Sequence, residues 1–312
     1  MSDTSVLVED DETIGKRRRP VWEEPPTRVG LAAKGAILSI ALLAVLFPLW
    51  IVVVTSLSDA QAISDAGGLV LWPSGGLTFA AYEELLSGGQ VARSMVIAVG
   101  ITVVGTLFSM TISVLAAYGL SRMGSLWHRP LLMTLLATMF FGGAGLIPTY
   151  LLIQTLGLMN SYAALILPMA VNVFNILVLR AFFMNVGQEI VDSARIDGAG
   201  EFRILWQIVL PLSRAVLAVI SLFYAVGYWS NWFNGFIYIQ DQEKLPLQNV
   251  LQQIVIEGER PAGMAQVIGT GQIPSLAVQT AVMVLALLPV AVLSPFVQRH
   301  FKKGMLIGAV KG

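Results

Sequence analysis

Between Arg129 and Arg180 the chain contains no Asp, Glu, Lys or Arg. A helix that crosses a membrane needs about 20 apolar residues to span about 30 Å of hydrocarbon. This one uncharged stretch is therefore long enough for two crossings joined by a tight turn. The rest of the chain follows the same rule. Of its 312 residues, 56% are hydrophobic and 12% charged, against roughly a quarter charged in soluble domains. Six apolar segments run over about 31–55, 94–120, 131–153, 160–183, 207–230 and 276–298. Backbone groups in lipid must be satisfied internally, which leaves only helices and closed barrels. Continuous apolarity without period-2 alternation selects helices. The expected fold is an all-α integral membrane protein with six transmembrane helices.

Orientation follows from Lys and Arg, which favour the cytoplasmic side. With an even number of crossings both termini share a side. That side would carry sixteen of the 19 basic residues, including Lys16 to Arg19, Arg122, Arg129, Arg180, Arg195, Arg203, Arg214, Arg299, Lys302 and Lys303. Only Arg93, Lys244 and Arg260 fall opposite. Both termini and the loop around 184–206 are thus expected to be cytoplasmic. Three regions follow: a disordered cytoplasmic tail over 1–29, a transmembrane domain over 30–300 and a cytoplasmic tail over 301–312. The first apolar run begins near Leu31 after a polar, proline-bearing stretch and is too long for the core of a signal peptide. Two longer outer loops, about 56–93 and 231–275, and a short turn around 156–160 complete the layout.

The formal net charge is zero, so charge balance gives no support to a nucleic-acid partner. The absence of cysteine removes disulfides and thiolate metal sites. His128 and His300 are the only histidines, and neither lies in a His-Glu-x-x-His pattern. No metal site and no enzymatic constellation is expected.

Residues 189–211 interrupt the apolar pattern with charge. Asn185 can cap a helix whose first turns hold Glu189 and Asp192, the acidic bias that suits a positive helix end. Ile190, Val191 and Ala194 share one face by their spacing. Asp192 and Arg195 can pair at i, i+3. Ser193 and Ala194 are small and allow another surface to come close. Asp197-Gly198 is a stop signal, with Gly198 free to turn left-handed. Phe202, Leu205 and Trp206 then begin a second helix that runs into the membrane. The product is a short helix along the membrane, a tight turn and a helix that enters it.

The spacing Asp192-Ser193-Ala194, three residues, Gly198, nine residues, Ile208-x-Leu210-Pro211 resembles the cytoplasmic Glu-Ala-Ala loop of permease subunits from ATP-driven (ABC) importers. Asp stands for Glu and Ser for the first Ala, and both keep charge sign and small size. Gly145-Leu-Ile-Pro-Thr-Tyr, Leu156-Gly-Leu-Met-Asn-Ser and Ala164-Leu-Ile-Leu-Pro extend the likeness to the carbohydrate-uptake type, in the manner of the smaller maltose-transporter permease. Tyr224-Ala-Val-Gly-Tyr-Trp-Ser-Asn-Trp-Phe-Asn and the ending Met305-Leu-Ile-Gly-Ala-Val-Lys-Gly narrow it to the branch that imports oligosaccharides from plant or algal polysaccharides.

The resemblance implies a bacterial cytoplasmic membrane, a second homologous permease, two ATPase subunits and an extracytoplasmic solute-binding protein. It implies that Glu189, Asp192, Ser193, Ala194, Asp197, Gly198 and Ala199 meet an ATPase, and that Gly308, Lys311 and Gly312 touch one as well. ATP and Mg would sit on the partner, because this sequence has no Gly-x-x-x-x-Gly-Lys-Ser/Thr phosphate loop. For the sugar path the candidates are Asn172, Asn175, Tyr224, Tyr228, Trp229, Asn231, Trp232 and Asn234. Neutral donors and aromatic faces suit a carbohydrate, but the same residues can serve as interhelical hydrogen bonds. Trp229, Trp232, Phe233, Phe236 and Tyr238 can equally form an interfacial belt. The alternative class is an ion-coupled secondary transporter, which places ionisable residues inside the membrane; here only Arg180 and Arg214 come near, at expected cytoplasmic ends.

Overall fold

The computed structural model describes residues 27–73, 75–87, 89–122, 127–140, 145–257 and 275–308. The tail expected over 1–29 falls almost wholly outside the described residues, as do Lys311 and Gly312. All regular structure among the described residues is helical, apart from an isolated bridge between Ser58 and Leu77. Two compact units divide the chain, one ending at Trp50 and the other starting at Ile51.

The first unit is most of helix α1 (Arg28–Ser56). Ile37, Leu38, Ile40, Leu43 and Phe47 are all exposed on it. A helix apolar on every side is suited to hydrocarbon rather than water. Pro48 lies inside α1 without ending it.

In the second unit the loop after α1 carries two short helices, α2 (Ala60–Asp65) and α3 (Ala80–Ser87). Helix α4 (Gln90–Ser121) follows. At 1.5 Å per residue it is about 48 Å long, enough to cross a bilayer with turns to spare. Its buried stripe is Ser94, Ala98, Ile101, Gly105, Ser109, Ser113 and Ala117, nearly all small. Small residues at helical spacing let neighbouring backbones approach closely in a membrane.

The third expected span is described as α5 (His128–Phe140) and α6 (Leu146–Thr155). The fourth is broken. Helix α7 (Ala163–Ile166) tightens into a 3-10 turn over Leu167–Met169, and α8 (Val173–Met184) leaves at 53° to it. Pro168 lacks an N–H and cannot continue the helical ladder. The charged loop gives α9 (Gln188–Ile196), α10 (Glu201–Ile204), a π turn over Leu205–Val209 and α11 (Leu210–Leu212). Helix α12 (Arg214–Trp229) then departs at 86°. The single helix expected over 207–230 is therefore two pieces with a break at Ser213. The chain turns there because Pro211 removes a donor, the π turn before it loosens the ladder, and Ser213 leaves helical geometry at φ −99° and ψ 13°. Beyond α12 come α13 (Trp232–Tyr238), α14 (Leu247–Gln252) and α15 (Ser275–Gly308). Helix α15 runs unbroken into the stretch expected to be a tail from 301.

Helices α8 and α12 pack on α4, and α15 packs on α12. The α4–α12 seam is a polar ladder. Tyr228 Oη donates to the Ile166 carbonyl at 3.0 Å and receives Ser109 Oγ at 2.7 Å. One turn away Tyr224 Oη lies 2.7 Å from Ser113 Oγ and accepts the Asn172 backbone N–H at 3.2 Å. The two tyrosines thus reach backbone groups on either side of the break in the fourth span. An unsatisfied backbone group in lipid costs several kcal/mol, and the hydroxyls supply partners. Gly105 makes room for this, since a Cβ there would sit 2.8 Å from a Tyr228 ring carbon.

Tyr228→Phe removes one bridge. The expected loss is about 1 kcal/mol, the scale of a hydrogen bond between membrane helices. Gly105→Ala should cost more, because the ring it strikes is held through its hydroxyl. Thermal midpoints of the purified protein in detergent check both. Unchanged midpoints would show that the ladder is dispensable.

Candidate functional site

The charged loop is a bracket built from local rules. Helix α9 starts after Gly187, which provides no side-chain cap. Asn185 instead ends α8, its N–H donating to the Phe182 carbonyl at 3.1 Å and the Val186 N–H to the Phe183 carbonyl at 3.4 Å. The expected Asn185 cap is thus displaced by one element, because α8 continues to Met184. Glu189 occupies the first turn of α9 and Arg195 the last, so both complement the helix dipole. Ser193 Oγ donates to the Glu189 carbonyl at 2.8 Å. Arg195 Nη1 meets Asp192 Oδ1 at 3.2 Å.

The helix closes at Gly198 with φ +78°. Ala199 N–H donates to the Ala194 carbonyl at 2.9 Å and Gly198 N–H to the Arg195 carbonyl at 3.0 Å. This 6→1 and 5→2 pair is a Schellman motif, which needs a left-handed residue where glycine stands. Asp197 is the residue just before it. The Gly198 surroundings are open, so a side chain there would be limited by backbone strain and not by collision.

One face of the bracket is sealed by Val191, Ile204, Leu205 and Val209, all buried. The other presents Glu189, Asp192, Ser193, Asp197 and Gly198 to the surface. Ile190 is exposed too and does not share the buried face with Val191, because α9 seats on that seam through Val191 and the partly buried Ala194. Ile196 is 87% exposed, Phe202 72% and Trp206 67%. Acidic groups beside large bare hydrophobics make a surface suited to another protein. Among the described residues no group of three or more His, Cys, Asp or Glu could hold a metal.

The bracket is also tied to α4 by a group that local sequence patterns did not reveal. Tyr118 Oη donates to Glu201 Oε2 at 2.5 Å. Arg195 Nη2 lies 2.8 Å from Glu201 Oε1, and Arg122 Nε lies 3.8 Å from Glu201 Oε2. The Tyr118 hydroxyl, then the Arg195 guanidinium, hold the Glu201 carboxyl below the usual carboxylate range. The same carboxylate raises Arg195. Tyr118 and Glu201 are 83 residues apart, so the only sequence signal was an acid at the start of α10.

The candidate pathway residues divide by burial. Asn172 caps α8, its Oδ1 accepting the Asn175 N–H at 3.1 Å, while Asn175 itself is buried. Tyr224 and Tyr228 are buried in the ladder. Trp229 is buried and donates to the Ala286 carbonyl at 2.9 Å. Asn231 caps α13 by accepting the Asn234 N–H at 3.3 Å. Trp232 is exposed, with Phe233 against it edge-on at 5.6 Å and Phe236 at 6.2 Å. Tyr238 is buried and stacked on Tyr150 at 6.2 Å. The aromatic cluster is therefore divided, with Trp229 and Tyr238 in the core and Trp232, Phe233 and Phe236 at the surface. Asn160, at φ +58°, joins the turn before α7 to this region. Its N–H donates to the Tyr238 carbonyl at 2.8 Å and its Oδ1 accepts from the Asp241 N–H at 3.1 Å.

No family model matches the chain. It is 44% identical over 233 residues to the polygalacturonan/rhamnogalacturonan transport system permease protein YtcP of Bacillus subtilis strain 168, covering 74% of this chain and 81% of that protein. It is 42% identical over 235 residues to protein LplC of the same organism, covering 75% and 79%. Its fold superposes on a chain from a bacterial ABC transporter involved in the import of the acidic polysaccharide alginate. That match has a TM-score of 0.82 and 28% identity, and covers 91% of this chain and all of the other.

The Glu201 tie has a defined pH response. Its folded pKa is depressed, so its contribution is complete above the ordinary carboxylate pKa of about 4.3 and is lost as pH falls through the lower folded value. A fluorophore on α9 should report tight attachment at neutral pH and loosening only at acid pH below that range. Glu201→Gln should abolish that transition. A transition surviving in Glu201→Gln would assign it to another group.

Proposed function

The chain belongs to the permease subunits of ABC transporters, and from that premise we propose that it is the transmembrane half of an importer that carries an oligosaccharide across the bacterial cytoplasmic membrane. The six crossings would be α1, α4, α5 with α6, α7 with α8, α12 and α15. Arg122 and Arg195 gather on Glu201 at the Ser121 end of α4, whereas Arg93 at the Gln90 end is paired with Glu243 at 3.0 Å. That distribution favours a cytoplasmic bracket and cytoplasmic termini. A second permease would complete the path, two ATPases would bind beneath, and a solute-binding protein would deliver the sugar from outside.

The observation that carries this reading is the bracket closed at Gly198. A rigid turn with exposed acids and bare hydrophobics is the form a push from another protein requires. Glu189, Asp192, Ser193, Ala194, Asp197, Gly198 and Ala199 would meet the ATPase, with Ile196 and Phe202 supplying apolar contact. The end of α15 at Gly308 and the residues after it would add a second contact. ATP and Mg would be held by the ATPases. Two of the relatives carry names that refer to uronic-acid polymers, which supports an acidic oligosaccharide as cargo. Buried, fully partnered Tyr224, Tyr228 and Trp229 would shape the path, whereas Asn172 and Trp232 have surface left for sugar.

Gly198→Val should abolish sugar-stimulated ATP hydrolysis in the reconstituted transporter while the membrane helices stay folded. A β-branched residue in the left-handed region costs about 1–2 kcal/mol or more and opens the turn. Stimulated hydrolysis at the parental rate would remove the bracket from the coupling role. Uptake of oligogalacturonates and oligomannuronates, with maltotetraose as the neutral control, tests the cargo. Equal uptake of the neutral sugar would overturn the acidic preference.

A further inference from the structure

We propose that Glu201 is a positioning residue that fastens the bracket to α4, so that a push on α9 reaches the bundle through α4 as well as along the chain into α12. The inference rests on the coupling role proposed above and concerns the route taken by the motion. Three side chains meet at this carboxylate, Tyr118 from α4, Arg195 from α9 and Arg122 from just past α4. Tyr118 Oη lies 2.5 Å from Oε2 and 3.2 Å from the Glu201 carbonyl. Arg195, at the end of α9, places Nε and Nη2 at 3.0 and 2.8 Å from Oε1. Arg122, just past α4, lies over the Tyr118 ring at 4.4 Å from its centroid. The last turn of α4 is further bound to α8, where Arg180 Nε donates to the Leu120 carbonyl at 2.9 Å.

An exposed ion pair between long side chains contributes little by itself. Here the central contact differs in kind. Tyr118 is 8% exposed, so packing holds one partner in place, and only the half-exposed Glu201 side chain has to be ordered to make the contact. Both carboxylate oxygens are used, one toward α9 and one toward α4. Glu201 is therefore shared between the part expected to be pushed and the helix at the centre of the bundle. Arg122 Nε is buried without a hydrogen-bond partner and faces Oε2 from 3.8 Å, about an ångström beyond a normal contact. A small closing movement would tighten the same junction. From the last turn of α4 the connection continues to Ser113 and Ser109, and from them to Tyr224, Tyr228 and the break in the fourth span.

The test uses the complete transporter reconstituted with its solute-binding protein. Glu201→Gln and Tyr118→Phe should each lower the maximal binding-protein-stimulated ATP hydrolysis, Glu201→Gln by roughly tenfold, the effect of one charge-assisted hydrogen bond. The binding-protein concentration giving half-maximal stimulation should not change. The double variant should be no slower than Glu201→Gln, because the pair acts as a unit. Glu201→Asp, which keeps the charge, should recover part of the rate. Parental rates in Glu201→Gln, losses that multiply in the double variant, or a change confined to half-maximal stimulation would each overturn the proposal. A second measurement does not depend on those variants. The natural sequence has no cysteine, so nitroxides can be placed at Ser121→Cys and Arg203→Cys alone. Their separation should stay constant between resting and ATP-trapped states, and a shift would overturn the shared movement. Gly198→Val separates the two readings. If it loses hydrolysis while Glu201→Gln does not, only the Glu201 inference falls. If neither loses it, the coupling role falls as well.

Discussion

The bond from Tyr228 to the Ile166 carbonyl is the contact on which the interior depends. A helix broken inside hydrocarbon exposes backbone groups that water cannot reach, and each must find a partner in the protein. The fourth span breaks after Pro168, and α12 answers with two hydroxyls one turn apart. Two serines on α4, also one turn apart, hold those hydroxyls from behind. Three spans are thereby fixed around one defect. A break supported in this way is a fixed angle, not a loose joint, and a fixed angle lets the span move as a body.

The support imposes its own demands on sequence. Tyrosine must come close to α4, so α4 is small along that face, with Gly105 under the Tyr228 ring. Apolar attraction between helices is weak in lipid, and close contact with hydrogen bonding replaces it. The serines and tyrosines of the seam are thus explained by support of the bundle before any role toward sugar is considered. The surfaces left for cargo are those that the support does not consume, such as Asn172 and Trp232.

Apolar length and missing charge are local properties, so the helical nature of the apolar segments was legible in the sequence. The breaks were not. Pro48 lies inside an unbroken α1, and Pro289 and Pro295 lie inside α15, whereas Pro168 and Pro211 stand at sharp bends. The residue is the same and the outcome differs. What surrounds the freed backbone differs from place to place, and that depends on side chains brought from distant segments. Gly198 could be read because a left-handed turn is a requirement of one residue. Asn185 was misplaced because capping preference marks a boundary without saying which helix it belongs to. Tyr224 and Tyr228 stood out as polar groups in apolar segments, but only the structure gives them partners. Glu201 could not be found at all by spacing, since its partner Tyr118 is remote in the chain.

The bend at Ser213 gives the second attachment its mechanical sense. A lever joined to a bundle only through an 86° turn, next to a π turn and a proline, would lose motion by flexing at that turn. A lever held at two points cannot pivot about either. In this fold the covalent route enters α12 through Ser213 and the side-chain route enters α4 through Glu201. Helices α12 and α4 are locked to each other by the tyrosine ladder. The three connections close a triangle. Under the proposed coupling, displacement of α9 would move α4 and α12 together, and with them the broken span whose backbone the ladder completes.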